Sequence, residues 1–379
     1  MESRVRYESF GGIIGLTEPP ALVFVDQQYM RELGHDESPL WQRPRSHLTA
    51  PTEVHFNLTR RCMLSCRHCT SSATSHEAAE MTGAQAREGI DALAAMGVFH
   101  IAFGGGELFL RDDAIELARH ARQRGLVPNA TTNGHRMSEA LARQCRVFGQ
   151  VNVSVDGVGD SYGLVRGSGD FAHADQALRW LTGAGVCTGI NCVVSRLNFD
   201  RIEEVVAYAD RLGLKEVLLL RIKPSGRATR AYPSLALTAE QGRAFYPMLK
   251  KLAKRYRPTL QIDCSLVPHI CAHRPSKKAM QALGVEGCGG GDMLLGVNAD
   301  GAMNACSHYP QWFGQVSALA EVWDDHAHFR QFRERKVTDP RCQACGYFSL
   351  CRGGCPLFSE FLAGDFHAPD PECPVLLAG

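Results

Sequence analysis

The chain has 379 residues, enough for two domains or for one large domain with an appendage. Its formal net charge is +1 and 45% of its residues are hydrophobic. These values are typical of a globular protein that attracts neither nucleic acid nor membranes through bulk charge. Because no apolar segment is typical of a secretory signal or a membrane span, we expect a cytoplasmic protein.

Residues 1–50 form the first predicted unit. Two short apolar stretches, residues 10–15 and 19–25, predict a two-stranded hairpin, and a polar connection rich in Pro and Arg follows. We expect this N-terminal β-hairpin extension to cover an edge of the main domain. A docking edge for an extended peptide is the alternative interpretation.

Residues 51–260 alternate short β-strands with amphipathic helices. Six such strand–helix units predict an α/β fold with a parallel sheet, as an open, partial (β/α)6 TIM-like barrel. The predicted strands are residues 53–58, 99–103, 127–132, 151–155, 189–194 and 216–222. The predicted helices are residues 82–96, 111–124, 138–145, 171–182 and 199–212. A helix at residues 239–256 and a strand at residues 259–263 are predicted after them.

The chain has fifteen cysteines. In a chain without an export signal they favour metal binding over disulfides, because the cytoplasm keeps thiols reduced. Ten of them fall into two closely spaced groups, and the second group lies in a small, loop-rich region predicted at residues 285–379, after a bridging region at 261–284. The cysteines outside both groups are Cys145, Cys187, Cys192, Cys264 and Cys271.

The first cysteine group directly follows the first predicted strand. Cys62, Cys66 and Cys69 are separated by three and two residues. Three thiolates can hold three irons of a 4Fe–4S cluster and leave the fourth iron open to another ligand. A zinc site with His68 as the fourth ligand is the alternative.

Three further motifs each follow a predicted strand, where barrel folds carry their chemistry. They are Gly105-Gly106-Glu107, Thr131-Thr-Asn133-Gly134 and Ser154-Val-Asp156. Together with the cysteine loop they resemble the radical S-adenosylmethionine (radical SAM) enzymes, although Leu108 stands where the family usually has Pro. The resemblance implies that SAM is bound by Gly105, Gly106, Glu107, Asn133, Ser154 and Asp156, with His68 stacking on adenine. Arg221, in a cationic stretch after the sixth strand, is a candidate for the SAM carboxylate or an acidic peptide.

The second cysteine group resembles the C-terminal SPASM extension, which holds two auxiliary 4Fe–4S clusters. Together with the core cluster, the resemblance therefore implies three 4Fe–4S clusters. The outer auxiliary cluster would be bound by Cys342, Cys345, Cys351 and Cys373, and the inner one by Cys288, Cys306 and Cys355. The inner cluster is then one ligand short. Either Cys264 or Cys271 completes it, or one iron is open.

The general base is less well defined. Some relatives carry Asp directly after the residue that matches Cys306, but this chain has Ser307. The candidate bases are therefore His308, Asp292 and Asp263. Because clusters bind only to the assembled fold, we also expect the Cys-rich region to be disordered without iron.

The resemblance implies that a 5′-deoxyadenosyl radical removes hydrogen from the substrate. Most SPASM proteins resemble maturases that crosslink, oxidise or excise residues of a ribosomally made precursor peptide or protein. We expect such a precursor as the substrate, a reductant such as flavodoxin or ferredoxin, and a separate leader-recognition protein. A radical SAM enzyme for a small-molecule cofactor precursor and a non-catalytic metal-binding scaffold are the alternatives.

Overall fold

The computed structural model describes residues 3–76, 79–283 and 287–377. Its N-terminal part is a three-stranded antiparallel sheet in the order β1-β2-β3, formed by β1 (Ser3–Glu8), β2 (Gly11–Thr17) and β3 (Pro20–Asp26). The predicted two-stranded hairpin was incomplete, because β1 was missed. As an arginine, Arg6 in β1 would be expected at the surface, but it is buried in the structure. It donates a hydrogen bond of 2.8 Å to Glu8 and another to the Pro51 carbonyl.

A nine-stranded sheet forms the centre of the molecule, in the order β10-β9-β8-β7-β6-β5-β4-β11-β12. All neighbouring pairs from β10 to β11 are parallel, and only β12 is antiparallel to its neighbour. The strands are β4 (Glu53–Thr59), β5 (His100–Gly105), β6 (Val127–Thr132), β7 (Gln150–Ser154), β8 (Thr188–Val194), β9 (Glu216–Arg221), β10 (Thr259–Ile262), β11 (Leu294–Val297) and β12 (Met303–Asn304). The predicted open α/β barrel is therefore confirmed, with further strands at both edges.

Helices connect successive strands. The first helices of the chain are α1 (Gln27–Glu32), α2 (Gly83–Ala95), α3 (Ala114–Gln123), α4 (Glu139–Gln144), α5 (Gly163–Arg166), α6 (Phe171–Gly183), α7 (Ile202–Leu212) and α8 (Ala228–Leu235). They are followed by α9 (Ala239–Arg255), α10 (Val267–Cys271), α11 (Lys277–Ala282), α12 (Leu319–Val322), α13 (Ala327–Arg333), α14 (Pro340–Gln343), α15 (Phe348–Cys351) and α16 (Pro356–Ala363). In the part of the chain that the structure describes, no helix is both long and apolar enough to cross a bilayer.

Helix α2 shows how local sequence fixes these elements. Thr82 and Gln85 form a reciprocal capping box that satisfies free N–H groups at its start. After its end, Gly97 adopts a φ of +85°, a left-handed conformation that glycine tolerates best. The chain then turns directly into β5, so that the loop after β5 lies at the same end of the sheet as the loop after β4.

The Cys-rich region is not a separate body. Its strand β11 pairs in parallel with β4, and Trp323, Phe329 and Phe358 are buried in the same core as the barrel. Trp323 also donates a hydrogen bond of 2.9 Å to the carbonyl of Leu48. These contacts were not expected for a region predicted to have little core of its own. The predicted boundary between residues 284 and 285 lies outside the described residues.

Candidate active site

The first cysteine loop crosses the carboxyl end of the sheet and is held by hydrogen bonds to its backbone. The N–H of Cys62 donates to the Thr74 carbonyl at 2.8 Å. From the loop after β9, Arg227 donates its backbone N–H to the Cys69 carbonyl at 3.0 Å and its Nε to the Cys66 carbonyl at 3.1 Å. The three thiols are therefore placed before any ligand binds, which favours a preformed site.

Gly105 and Gly106 allow the end of β5 to approach this loop closely. A Cβ on Gly105 would lie 2.2 Å from the Thr59 carbonyl oxygen, and one on Gly106 would lie 2.1 Å from the Arg61 carbonyl oxygen. Gly105 also adopts a φ of +115°, which disfavours any other residue. Both positions thus require glycine, and both line the cavity described below.

Glu107 lies one residue further and is fully buried. Its carboxylate accepts hydrogen bonds from the Thr132 hydroxyl and the Asn133 N–H, both at 2.7 Å. Burial raises the pKa of Glu107, and these hydrogen bonds oppose the rise. Asn133 in turn donates its Nδ2–H to the sulfur of Cys62 at 3.6 Å. Glu107 thus positions the loop after β6 against the cysteine loop. Glu107 itself is not among the residues that line the cavity described below.

Asp156 anchors the opposite side of the site. Its carboxylate accepts from Arg166 at 2.9 Å and from the N–H of Val193 at 2.7 Å. His68 Nε2 lies 3.4 Å from the same carboxylate. Burial lowers the pKa of His68, and Asp156 partly offsets that effect. Arg166 was missed from the sequence, because nothing local in the sequence links it to Asp156, ten residues earlier.

A cavity of about 240 Å³ opens between these elements at the carboxyl ends of the strands. It brings together most of the predicted site residues. Those in its wall are Cys62, Cys66, Cys69, His68, Gly105, Gly106, Asn133, Ser154, Asp156, Arg221 and His308. His308, two residues after Cys306, extends the wall from the barrel to the Cys-rich region.

The three candidate bases lie in different surroundings. His308 Nδ1 is buried without a hydrogen-bond partner among the described residues. Burial lowers the pKa of His308 well below its ordinary value, and Lys223 and His55 lower it further, so the ring is neutral. Asp292 instead accepts the N–H of Leu48 at 2.8 Å, and Asp263 accepts from Lys223 and from the Ser265 hydroxyl. Of the three, His308 is the one in the cavity wall.

Arg221 is engaged elsewhere. Its guanidinium bonds Asp370 at 2.6 and 3.1 Å and Glu372 at 2.7 Å, and it stacks 3.6 Å from the ring centroid of Phe358. Its positive charge is therefore already neutralised by two carboxylates, which disfavours the predicted contact with the SAM carboxylate. The ion pair instead ties the end of β9 to the segment that carries Cys373.

The auxiliary cysteines form two groups. Burial raises the pKa of Cys288 and that of Cys306 to about 11. Four of the auxiliary cysteines line one cavity, namely Cys342, Cys345, Cys351 and Cys373, and the wall of this cavity does not include Cys288, Cys306 or Cys355. We refer to the four as the outer group and to the other three as the inner group.

The donor chemistry of all three groups fits iron–sulfur clusters. Each group is made of thiols, the soft ligands that such clusters require. The described residues contain no set of three or more His, Cys, Asp or Glu close enough to hold a single metal ion.

Comparison with known proteins identifies the class. Residues 56–209 match the Radical SAM superfamily model, and residues 288–346 match the SPASM iron–sulfur cluster-binding domain model. The chain belongs to the radical SAM superfamily and is a radical SAM enzyme with a SPASM domain. Its radical SAM domain binds SAM and a 4Fe–4S cluster, and its SPASM domain binds auxiliary iron–sulfur clusters.

Individual relatives extend the match to most of the chain. The mycofactocin maturase MftC of Mycolicibacterium smegmatis is 33% identical over 337 residues, which cover 86% of this chain and 83% of MftC. The AdoMet-dependent heme synthase of Nitratidesulfovibrio vulgaris is 27% identical, covering 84% of this chain and 91% of the synthase. The crystal structure of Streptococcus suis SuiB bound to precursor peptide SuiA superposes with a TM-score of 0.77 at 14% identity, covering 98% of both chains, and supports the fold.

Proposed function

We propose that this chain is a maturase that modifies a ribosomally made precursor peptide. The observation that carries the proposal is the size of the cavity beside the three cysteines. At about 240 Å³ it is smaller than the ~300–1,000 Å³ typical of a pocket for one drug-sized ligand. A second whole small molecule therefore does not fit inside it beside bound SAM. A peptide can present one side chain or a chain end at the mouth of the cavity and keep the rest outside.

The relatives support the same substrate class. MftC, which is 33% identical over most of the chain, is a maturase, and SuiB, which shares the fold, has been crystallised with a precursor peptide. When bound, SAM and the reduced cluster supply hydrogen-atom abstraction through one-electron cleavage of SAM. The modification that follows, whether crosslink, oxidation or excision, depends on which hydrogen of the peptide the cavity admits.

The residues of this chain have three tasks in the proposed reaction. Gly105 and Gly106 let the ligand approach the backbone of β5, and Asp156 holds the floor of the site through Arg166. The apolar wall, which includes Val193 and Leu220, excludes water from a reactive intermediate. His308, whose Nδ1 has no partner among the described residues, offers the substrate a hydrogen bond, and its lowered pKa makes it a weak proton acceptor.

The precursor needs a docking surface outside the cavity. We place it on β3, which lies at one edge of the N-terminal sheet and exposes Val23 and Phe24, with Phe10 stacked on Phe24. An exposed strand edge can pair with an extended leader segment. A separate leader-recognition protein and a reductant such as flavodoxin or ferredoxin complete the proposed system.

The test is an anaerobic assay of the reconstituted enzyme with SAM, a chemical reductant and short peptides encoded beside its gene. We expect 5′-deoxyadenosine and a change in the mass of one peptide. Both should be absent in the Cys62/Cys66/Cys69→Ala variant. The proposal is wrong if no peptide changes in mass while a tetrapyrrole precursor of haem is converted. That result would favour the small-molecule reaction suggested by the heme synthase relative.

A further inference from the structure

The inner group of auxiliary thiols has three members, whereas a cluster ligated only by Cys needs four. Two cysteines outside the SPASM motif, Cys264 and Cys271, lie between the barrel and the Cys-rich region. Cys264 lies near the inner group, whereas Cys271 lies near the outer group.

Cys264 lies at the end of the central sheet nearest the cavity. It is the first residue of a short 3-10 helix (Cys264–Leu266) that begins directly after β10. Asp263 caps this helix, accepts the backbone N–H of Arg221 at 3.3 Å and forms an ion pair with Lys223. Because Lys223 lines the cavity beside His308, Cys264 is fixed on the side of the cavity where the Cys-rich region meets the barrel.

Contacts on both sides of Cys264 place it beside the inner group. The next residue, Ser265, accepts a hydrogen bond of 2.9 Å from Arg221 through its carbonyl, and Arg221 stacks 3.6 Å from the ring centroid of Phe358, three residues after Cys355. The preceding residue, Asp263, forms the ion pair with Lys223, which lines the same cavity wall as His308, two residues after Cys306. Cys264 therefore lies between the segments that carry Cys355 and Cys306.

Cys271 lies with the outer group instead. It is the last residue of α10 and lines a second cavity, whose wall also contains Cys342, Cys345, Cys351 and Cys373. A hydrogen bond with Cys271 raises the pKa of Cys351. The outer group already has four thiols for four irons, so Cys271 is a hydrogen-bonding neighbour of that group.

We infer that Cys264 is the fourth thiolate ligand of the inner auxiliary cluster. A consequence is that the inner cluster has no open iron. The substrate then meets the Cys-rich region through side chains such as His308, and not by coordination to the auxiliary cluster.

The test uses the full chain with the core cluster removed by Cys62/Cys66/Cys69→Ala, so that only auxiliary clusters contribute. To this parent we add either Cys264→Ala or its matched control, Cys271→Ala. After reconstitution and mild oxidation, Cys264→Ala should lose about one iron per chain and show the electron paramagnetic resonance signal of a 3Fe–4S cluster. The parent and Cys271→Ala should not.

An unchanged Cys264→Ala variant would overturn the inference, and so would iron loss caused by Cys271→Ala. A second measurement does not depend on the folding of any Cys264 variant. Labelled cyanide is added to the reduced parent, where a fully thiolate-ligated cluster offers no free iron to it. The inference predicts no cyanide coupling in pulsed resonance spectra, and a bound cyanide would contradict it.

Discussion

The cysteine loop of the barrel and the Cys-rich region bind the same kind of cluster but are held by different forces. The barrel loop is fixed by backbone hydrogen bonds and by close contacts at Gly105 and Gly106. The Cys-rich region is fixed by contacts between distant parts of the chain: β11 pairs with β4, Trp323 packs in the barrel core, and Arg221 bonds Asp370, 149 residues away. Substitutions at the cysteine loop should therefore mainly lower the rate of 5′-deoxyadenosine formation. Substitutions in the contacts of the Cys-rich region should mainly lower stability and the iron content of the auxiliary clusters.

The largest expected effect is that of Gly106→Ala. The new Cβ would lie 2.1 Å from the Arg61 carbonyl oxygen, so the cysteine loop must shift. A displacement of about 1 Å at a reacting centre can cost about 100-fold in rate. We expect a loss of this size in 5′-deoxyadenosine formation, together with weaker SAM binding by calorimetry.

The matched control is Gly163→Ala in α5, where a Cβ would meet no described atom within 4 Å. It should keep the wild-type rate. Equal activity of the two variants would show that the close approach of β5 to the cysteine loop is not required.

The next effect is that of Arg221→Met. This change leaves Asp370, which is fully buried, without its partner. Removing one member of a buried ion pair typically costs about 3–5 kcal/mol. We expect a clear fall in melting temperature and a loss of iron from the auxiliary clusters, with Arg221→Lys intermediate because lysine cannot form the two-pronged contact.

Arg143→Met is the control, since Arg143 pairs with Glu139 on the exposed face of α4 at 2.6 Å. Exposed pairs contribute less than about 1 kcal/mol. A similar loss of stability in both variants would contradict the role assigned to the Arg221 ion pair.

A smaller effect concerns His269, which is buried in α10. Burial, together with the nearby Arg221, lowers its pKa to about 3. The imidazole of His269 is protonated near pH 6.5 in the unfolded chain but only near pH 3 in the folded protein. The free energy of unfolding is therefore highest above pH 6.5 and falls as the pH decreases toward 3. Between pH 7.5 and 5.5 the loss is about 1.4 kcal/mol.

The difference between the melting temperatures at pH 7.5 and at pH 5.5 should therefore be smaller in His269→Leu than in the wild type. His173→Gln, which changes a half-exposed histidine on α6, should leave the wild-type divergence intact. If His269→Leu shows the full wild-type divergence, another group is responsible for the pH dependence.

The smallest effect on stability is expected for Phe24→Ser, because Phe24 is already 46% exposed. The melting temperature should change little, since exposed substitutions usually stay within about 0.5 kcal/mol. Binding of the precursor peptide should weaken, whereas Leu197→Ser, at an equally exposed apolar residue of the barrel, should bind normally. Unchanged peptide affinity in Phe24→Ser would exclude β3 as the docking edge.

The same contrast explains what the sequence could predict. The barrel strands were located within one or two residues, because their apolar runs and the glycines that end the helices are local signals. The cysteine spacings and the Gly-Gly-Glu stretch are also local, so the resemblance to the family was visible without a structure.

Long-range contacts were not predictable. The pairing of β11 with β4 joins residues about 240 positions apart, and no local pattern in the sequence predicts it. Likewise, Arg221 resembled a free cation because Asp370 and Glu372 lie near the end of the chain. The position of Cys264 beside the inner thiols depends on the same packing of the Cys-rich region against the end of β10.

The most direct test of the central claim is an iron count. The wild type and the Cys62/Cys66/Cys69→Ala variant are reconstituted anaerobically with iron and sulfide. One catalytic and two auxiliary 4Fe–4S clusters predict about twelve irons per chain in the wild type and about eight in the variant, with 5′-deoxyadenosine formation abolished. About four irons in the wild type, together with bound zinc, would contradict the assignment of the Cys-rich region.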